Sequence, residues 1–310
     1  GLCLSGLICA ESAGSLQRRW WLSGELALRR AALPASLRHP QVSRENAILD
    51  SLESSYVPLV ARALRAIGEW ALRQHQPALE SALHASDPRC RLEAAYALRL
   101  FGHDVGMPDL AEHFPPLAMP MRRRLLLSMA STASAAHCAD AYAALLQAGQ
   151  GRDALWLQIF RGDAHALAHL AAALDGEYAA LAAYGLEHIT GVNLDDIDCW
   201  ERPDPMAPVT LKPAGGEPDD AVKLDDDDDP ELDVHAEDSG LPTPVAERLR
   251  AWLAAQPVPQ GRRLSSVPID TAMQITSRAH LTLPQCWQLA FLHTLHGRAG
   301  AIDAIHAPVL

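Results

Sequence analysis

Aromatic residues, β-strand patterns and paired cysteine motifs are scarce in this 310-residue sequence. Phe, Trp and Tyr together make up 5% of it, and runs in which apolar and polar residues alternate are almost absent. The six cysteines are scattered without CxxC spacing. No apolar stretch reaches the roughly 20 residues that span a bilayer. These absences argue against a β-rich fold, a zinc ribbon and a membrane-spanning protein.

Alanine and leucine instead supply most of the apolar residues, which account for 49% of the chain. Both rank among the strongest helix formers. The length is sufficient for a sizeable core, as one extended repeat array or as two domains. The composition therefore predicts an all-α protein.

The clearest helix signal runs from Asp87 to Gly102. Asp87 can accept hydrogen bonds from free backbone amides, Pro88 suits the first helical position, and Gly102 suits the stop. A buried stripe follows at helical spacing, formed by Leu92, Ala95 and Leu98. Small residues would let a neighbouring helix approach closely, namely Ala94, Ala95 and Ala97. A helix of this kind buries its apolar face only against stacked neighbours, which predicts a repeat architecture.

Helical signals recur at a spacing of about 30 residues, which is typical of the sequences of repeat proteins. Leu64 to Gly68 is matched by Leu98 to Gly102, 34 positions later. Further apolar helices are predicted at Met121 to Ala130, Ala154 to Phe160 and Tyr178 to Ile189. Partner helices are predicted at Gln76 to Ala85, Pro108 to Leu117, Ala135 to Ala148 and Ala164 to Leu174. The pattern corresponds to about five helix pairs.

Asp87 to Gly102 resembles the helix of HEAT-like repeats, in the short form first noted in phycobilisome lyases. The matching residues are Asp87, Pro88, Arg91, Ala94, Ala97, Leu98 and Gly102. This resemblance implies an α-solenoid with two antiparallel helices per repeat and a concave face for partners. It carries no information about the ligand.

The negative charge of the chain is concentrated in one segment. Residues 192–240 hold 17 of the 38 acidic residues but three of the 26 basic ones, so the rest of the chain has 21 acids and 23 bases. Pro and Gly are frequent there, and adjacent carboxylates oppose compaction. We therefore expect a solenoid over residues 1–191, a disordered acidic linker over 192–241, and a C-terminal helical segment over 242–310.

The C-terminal segment begins with a predicted amphipathic helix from Val245 to Ala255, followed by helical patterns at Asp270 to Arg278 and Pro284 to Leu295. It is too short for a core of its own, so it is expected to pack against the end of the solenoid as a cap.

The order of these parts resembles an uncharacterised bacterial HEAT-like family that is often encoded near type VI secretion components. The resemblance begins at about Ala61 and is carried by His188 to Gly191 before the acidic insert, Ala251-Trp252 and Gly261 to Leu264, with a looser match at Gln285 to Leu295. It transfers no catalytic residue.

Two histidine pairs have a spacing that can hold a metal ion. His165 and His169 lie four positions apart on one predicted helix with Asp163 at its start, and His293 and His296 lie three apart. No Glu follows the first His, so the zinc-protease motif is absent. With 14 histidines such pairs arise by chance, and we predict no metal or other cofactor.

The densest acidic run consists of Asp225, Asp226, Asp227, Asp228 and Asp229. A calcium loop needs spaced ligands and a Gly turn, which an unbroken run does not provide. A solvated acidic arm is the preferred interpretation, and its functional version is that these carboxylates bind or mimic the charge of a cationic partner.

The densest basic cluster consists of Arg122, Arg123 and Arg124. These arginines are candidate partner-binding residues. They are also the best support for nucleic-acid binding, because some HEAT-like proteins are DNA glycosylases. A body charge of +2 is small for phosphate contact, and the acidic segment would compete for a basic groove. Salt bridges on the helix surface are the preferred explanation.

No catalytic set emerges from the sequence. GxSxG, a phosphate-binding glycine loop and a dinucleotide fingerprint are all missing. We therefore expect a non-enzymatic scaffold that binds another protein, such as an adaptor, chaperone or immunity-type factor beside a secretion system. The expected location is the cytoplasm, without nucleic-acid or membrane binding. The alternative is a HEAT-like enzyme acting on nucleic acid or on a tetrapyrrole.

Overall fold

The computed structural model describes residues 44–103, 105, 119–201, 241–257, 260–272 and 281–296, and nine positions between residues 19 and 33. This part of the chain is mostly helical, which confirms the all-α prediction. Its helices are α1 Arg44–Leu52, α2 Val57–Glu69, α3 Gln76–Ala82, α4 Pro88–Leu100, α5 Met119–Thr132, α6 Ala135–Gln147, α7 Gly151–Arg161, α8 Ala164–Ala172, α9 Ala179–Thr190, α10 Ala246–Ala254, α11 Ile269–Ala272 and α12 Leu283–Leu295. Short 3₁₀ turns span Arg73–His75 and Ala173–Asp175.

Helix α4 begins and ends as the sequence predicts. Asp87 Oδ1 accepts a hydrogen bond from the Arg89 amide at 2.8 Å, and Pro88 is the first helical residue. Gly102 has φ +87°, and the His103 amide donates to the Leu98 carbonyl. This is the glycine-terminated helix end in which a left-handed residue lets the following amides reach back to the last turn.

Five helices form a row in which each one packs against the next: α2, α4, α5, α7 and α9. We call this set the central row. Helices α1, α3, α6 and α8 pack against α2, α4, α7 and α9 respectively. The predicted helix at Pro108 to Leu117, which would pair with α5, lies outside the described residues.

Small residues set the close spacing within the central row. A Cβ atom on Gly68 of α2 would lie 2.6 Å from Ala97 Cα of α4, and one on Gly185 of α9 would lie 2.6 Å from Ile159 Cγ1 of α7. The expectation that small residues allow close helix approach is confirmed at Ala97. Larger residues at these positions would force the helices apart.

The folded region extends into the segment predicted to be a linker. Leu194 and Cys199 are buried, and β1 (Trp200–Glu201) pairs antiparallel with β2 (Thr243–Pro244). Glu201 lies opposite Thr243, so the two ends of the acidic segment leave and re-enter the fold at one place. The acidic segment therefore begins and ends beside the β1–β2 ladder. Asp225 to Asp229 lie outside the described residues.

The C-terminal segment lies along several helices of the central row. A hairpin of β3 (Arg263–Leu264) and β4 (Val267–Pro268) bonds to the carboxyl ends of α7 and α9, and α12 packs against α4 and α5. A cap at one end of the array would contact only the last pair. The observed position follows from hydrogen-bond donors on the hairpin and on α12 that reach the last carbonyls of the row. Among the described helices, none is both long and apolar enough to cross a membrane.

Candidate interaction site on the central row

The predicted basic cluster lies at the start of α5, between α4 and α7. Arg122 Nη1 donates to Asp153 Oδ2 of α7 at 2.9 Å, and Arg124 Nη2 donates to Glu93 Oε1 of α4 at 3.2 Å. The two arginine side chains are 19% and 14% exposed, and both acids are buried. These ion pairs agree with the salt-bridge interpretation, but they lie in the interior and tie α5 to both neighbours.

Arg123 is also used inside the protein. It is buried, and its guanidinium carbon lies 3.5 Å from the centroid of the Trp156 ring of α7. A desolvated arginine over a tryptophan face is a favourable cation–π contact. All three predicted partner-binding arginines therefore have contacts within the fold.

The ion pairs continue across α4 to α2. Glu93 Oε1 also lies 3.6 Å from Arg65 Nη1, and Glu69 Oε1 lies 4.0 Å from Arg65 Nε. We call these charged residues together the charge ladder: Arg62, Arg65, Glu69, Glu93, Arg122, Arg123, Arg124 and Asp153. Buried ion pairs add little net stability, but loss of one partner leaves a costly buried charge. The ladder therefore favours one order and one register of the helices.

Tyr96 lies between the charge ladder and α12. Its hydroxyl is fully buried and has no hydrogen-bond partner among the residues that the structure describes. Burial, followed by the nearby Glu69 carboxylate, raises the pKa of Tyr96 well above its usual value. The Tyr96 ring centroid lies 6.0 Å from that of Phe291 on α12. The phenol is therefore neutral and serves as a packing surface for the C-terminal helix.

Aromatic rings also lie on α7 and α9 of the central row, where they contact one another. Trp156 lies 5.2 Å from Phe160 and 5.9 Å from Tyr184, and His188 lies 6.1 Å from Tyr184, measured between centroids. We call Tyr96, Trp156, Phe160, Tyr184 and His188 the aromatic row. The side chains of three members contact α12 or its N-cap, Tyr96 with Phe291, Tyr184 with Thr282 and His188 with Gln288, and the Phe160 carbonyl is a fourth contact.

His188 joins α9 to α12 through a buried hydrogen-bond chain. Gln288 Nε2 donates to the Phe160 carbonyl at 2.9 Å, so Gln288 Oε1 is the atom that accepts from His188 Nε2 at 2.9 Å. This assigns the proton of the neutral imidazole to Nε2. Burial lowers the pKa of His188 to about 4, so the ring is neutral at pH 7.

Two arginines bind carbonyl groups at the carboxyl ends of α5 and α7. Arg161 Nη1 donates to the carbonyls of Ala130 and Ala133, at 3.3 and 3.0 Å. Arg262 Nε, Nη1 and Nη2 donate to the carbonyls of Arg161, Ser131 and Phe160, at 3.0, 3.2 and 3.3 Å. The last carbonyls of a helix have no partner within the helix and attract positive charge. Burial and the neighbouring Arg161 lower the pKa of Arg262 to about 10, so it still carries its charge at pH 7.

Two left-handed glycines at these carboxyl ends receive the β3–β4 hairpin. Gly162 (φ +65°) ends α7, and its carbonyl accepts from the Arg263 amide at 2.9 Å. Gly191 (φ +69°) ends α9, next to Ser265, whose amide donates to the His188 carbonyl at 3.0 Å. A Cβ atom on Gly162 would collide with the Arg263 carbonyl oxygen, and one on Gly191 would lie 2.9 Å from the Ser265 carbonyl carbon.

Three of the described cysteines are protonated thiols. Burial raises the pKa of Cys90 to about 11 and also raises the pKa values of Cys138 and Cys199. Cys90, Cys138 and Cys199 are all buried as free cysteines. The thiolate is the nucleophilic form, so these environments do not activate a cysteine.

One histidine of each candidate pair packs in the fold, and the other, His165 or His296, is exposed. His169 stacks on Tyr142 with centroids 4.3 Å apart, and burial lowers the pKa of His169. His293 is buried, whereas His296 is exposed. Within the described residues, no group of three or more His, Cys, Asp and Glu side chains is arranged to hold a metal ion.

Searches for relatives found no matching family model, no similar curated protein and no similar solved structure. The interpretation therefore depends on the residues and their geometry.

Sequence reasoning missed the cross-helix partners of the arginines and the role of the two glycines. Glu93 and Asp153 are both separated by about 30 positions from the arginines they bind, and an acid at that distance has no local signature. Gly162 and Gly191 were detectable, because each follows an apolar helix at a similar repeat spacing.

Proposed function

We propose that this chain is a non-enzymatic α-solenoid scaffold that binds another protein, acting as an adaptor, chaperone or immunity-type factor beside a type VI secretion system. The supporting observation is the order of helix contacts. Four of the five central helices, α2, α4, α7 and α9, contact both a neighbouring central helix and an outer helix, as stacked helix pairs do. Repeats of this kind produce extended surface, which suits macromolecular partners.

The contacts of Arg122, Arg123 and Arg124 inside the fold favour a protein partner over nucleic acid. The densest basic cluster is engaged by Asp153, Glu93 and Trp156, so these guanidinium groups are already occupied. Nucleic-acid binding depends on cationic side chains that can reach phosphates.

Affinity capture with the full chain as bait tests this proposal. We expect one protein to co-purify at a stoichiometric level and to remain bound after moderate salt washing. A duplex-oligonucleotide gel shift that weakens steeply with salt would contradict it and would favour the enzyme alternative. A monomer that captures no protein under varied conditions would also contradict it.

Two bait variants separate specific binding from adhesion of unfolded chain. Gly162→Ala disturbs the junction of α7 with the hairpin, whereas Gly149→Ala introduces a similar left-handed strain into open space. A specific partner should remain on the Gly149→Ala bait and be lost from the Gly162→Ala bait. Equal capture by both baits would mean that the partner adheres nonspecifically to an unfolded segment and does not recognise the assembled helices.

A further inference from the structure

We propose that the charge ladder encloses a binding site for one ordered water molecule, held between the Tyr96 hydroxyl of α4 and the carboxylates of Glu69 and Glu93. The ligand is a small neutral molecule that both donates and accepts hydrogen bonds. The site lies inside the central row, so this proposal does not depend on the proposed function.

The Tyr96 hydroxyl is the group that points to a ligand. Tyr96 is 1% exposed, and its hydroxyl makes no hydrogen bond to any residue in the described part of the chain. A phenol can donate one hydrogen bond and accept another, and a buried polar group without a partner destabilises a protein. Native structures satisfy such groups with protein atoms or with ordered water.

Four charged groups lie close enough to the hydroxyl to act on its ionisation. Burial, followed by the Glu69 carboxylate, raises the pKa of Tyr96. Arg124 lowers this pKa, Glu93 raises it and Arg65 lowers it, in decreasing order of effect. Two negative and two positive charges sum to zero, so an ion bound among them would lack a counter-charge. Because an uncompensated buried charge is costly, a neutral ligand is favoured.

The same place offers both donors and acceptors. Arg124 Nε is buried and has no acceptor among the described residues, although Arg124 Nη2 donates to Glu93 Oε1 at 3.2 Å. Glu93 Oε1 also lies 3.6 Å from Arg65 Nη1. A water molecule can accept from the Tyr96 hydroxyl and from Arg124 Nε, and it can donate to a carboxylate oxygen. Buried waters typically make about three hydrogen bonds to groups of this kind.

A bridging water also explains how the hydroxyl is related to its charged neighbours. No direct hydrogen bond joins the hydroxyl to the carboxylates that act on it. Polar groups separated in this way are commonly bridged by water at a small entropic cost. A bridge to Glu69 would tie α4 to α2, in addition to the ion pair of Arg65 with Glu93. The Tyr96 ring keeps its contact with Phe291, so the two ends of the side chain have separate partners.

A high-resolution crystal structure of the full chain tests the site directly. We expect one density peak within hydrogen-bond distance of Tyr96 Oη and of a carboxylate oxygen of Glu69 or Glu93. Crystals grown in bromide identify the ligand, because bromide scatters anomalously and water does not. An anomalous peak at this position would overturn the proposal in favour of an anion site. A hydroxyl bonded directly to a protein atom, or one with no peak beside it, would overturn it as well.

A pair of tyrosine variants gives the energetic test in solution, by urea unfolding. Tyr96→Phe removes the hydroxyl and should raise the unfolding equilibrium constant about tenfold, because the hydrogen bond to the water is lost. Tyr142→Phe is the matched control, since Tyr142 is a half-buried tyrosine on α6 that stacks on His169. It should leave the constant unchanged within about twofold. A Tyr96→Phe variant as stable as the wild type, or more stable, would mean that the native hydroxyl is unsatisfied and would overturn the proposal.

Discussion

Replacing Gly162 by alanine tests whether the hairpin is part of the helical body. Gly162 follows α7 with φ +65°, and the backbone of Arg263 lies directly over its α-carbon. An added Cβ meets the Arg263 carbonyl oxygen, which is main chain and has no rotamer to change. The strain is therefore relieved only when the hairpin moves away from α7.

The expected cost has two parts. Placing alanine in the left-handed region costs about 1–2 kcal/mol. Hairpin displacement also weakens the 2.9 Å bond from the Arg263 amide to the Gly162 carbonyl and the bonds donated by Arg262, at about 1 kcal/mol each. We therefore expect Gly162→Ala to lower the free energy of unfolding by about 3–5 kcal/mol.

Gly149→Ala is the matched control, because Gly149 follows α6 with φ +73° and a Cβ there meets nothing within 4 Å. It should show only the backbone strain, about 1–2 kcal/mol. Urea unfolding followed by circular dichroism measures both variants. The reasoning is refuted if the two alanine variants lose equal stability, because the hairpin contact would then contribute nothing.

Three further predictions concern a titration, a deletion and an ion pair. His188 has a pKa of about 4 in the folded chain and an ordinary pKa of about 6.5 when unfolded. Its contribution to the free energy of unfolding is therefore fully present above pH ~6.5 and falls by up to about 3 kcal/mol as the pH drops towards 4. His188→Gln should flatten this pH dependence when unfolding is measured across that range. Deleting Asp219 to Asp238 roughly halves a connection whose ends meet at the β1–β2 ladder, so the melting temperature should stay nearly constant, with a gain of at most about 0.6 kcal/mol from loop closure. Glu93→Gln removes the carboxylate shared by Arg65 and Arg124 and should destabilise by about 3 kcal/mol in urea unfolding.

The titration and the ion pair each have a control variant on the same chain, and the deletion has an outcome that would contradict it. His137→Gln, at an exposed position on α6, should leave the pH slope unchanged; an unchanged slope in His188→Gln as well would assign the acid sensitivity elsewhere. A large fall in melting temperature after the deletion would show that the acidic segment packs on the fold. Glu80→Gln is exposed on α3 and should change stability by less than about 0.5 kcal/mol; an equally small effect of Glu93→Gln would mean that the charge ladder is dispensable.

Local features were predictable because neighbouring residues determine them. The cap at Asp87, the stop at Gly102 and most helix positions follow from side-chain oxygens, φ preferences and apolar spacing within a few residues. The helix predicted at Ala135 to Ala148 is observed at Ala135–Gln147, and the one predicted at Pro284 to Leu295 is observed at Leu283–Leu295. These signals act within one or two helical turns.

Contacts between distant segments were not predictable from one sequence. Arg122 to Arg124 were recognisable as a cluster, but their partners are chosen by how α4, α5 and α7 pack. The docking of Gln288 on His188 joins residues 100 positions apart and depends on where the hairpin places α12. Nothing near either residue in the sequence encodes that distance. The burial of charge in this row is likewise a property of the packed helices and not of the α5 sequence.

The division of donors between hairpin and α12 gives the C-terminal segment two separate roles. Arg262, the Arg263 amide and the Ser266 amide bind the carboxyl ends of α5, α7 and α9, where helices otherwise end in unpaired carbonyls. Helix α12 donates to two carbonyls that the hairpin also serves, and Gln288 and the N-cap Thr282 bond to the side chains of His188 and Tyr184. The hairpin therefore fixes the C-terminal segment to the helix ends, whereas α12 closes the buried face that holds Tyr96 and His188.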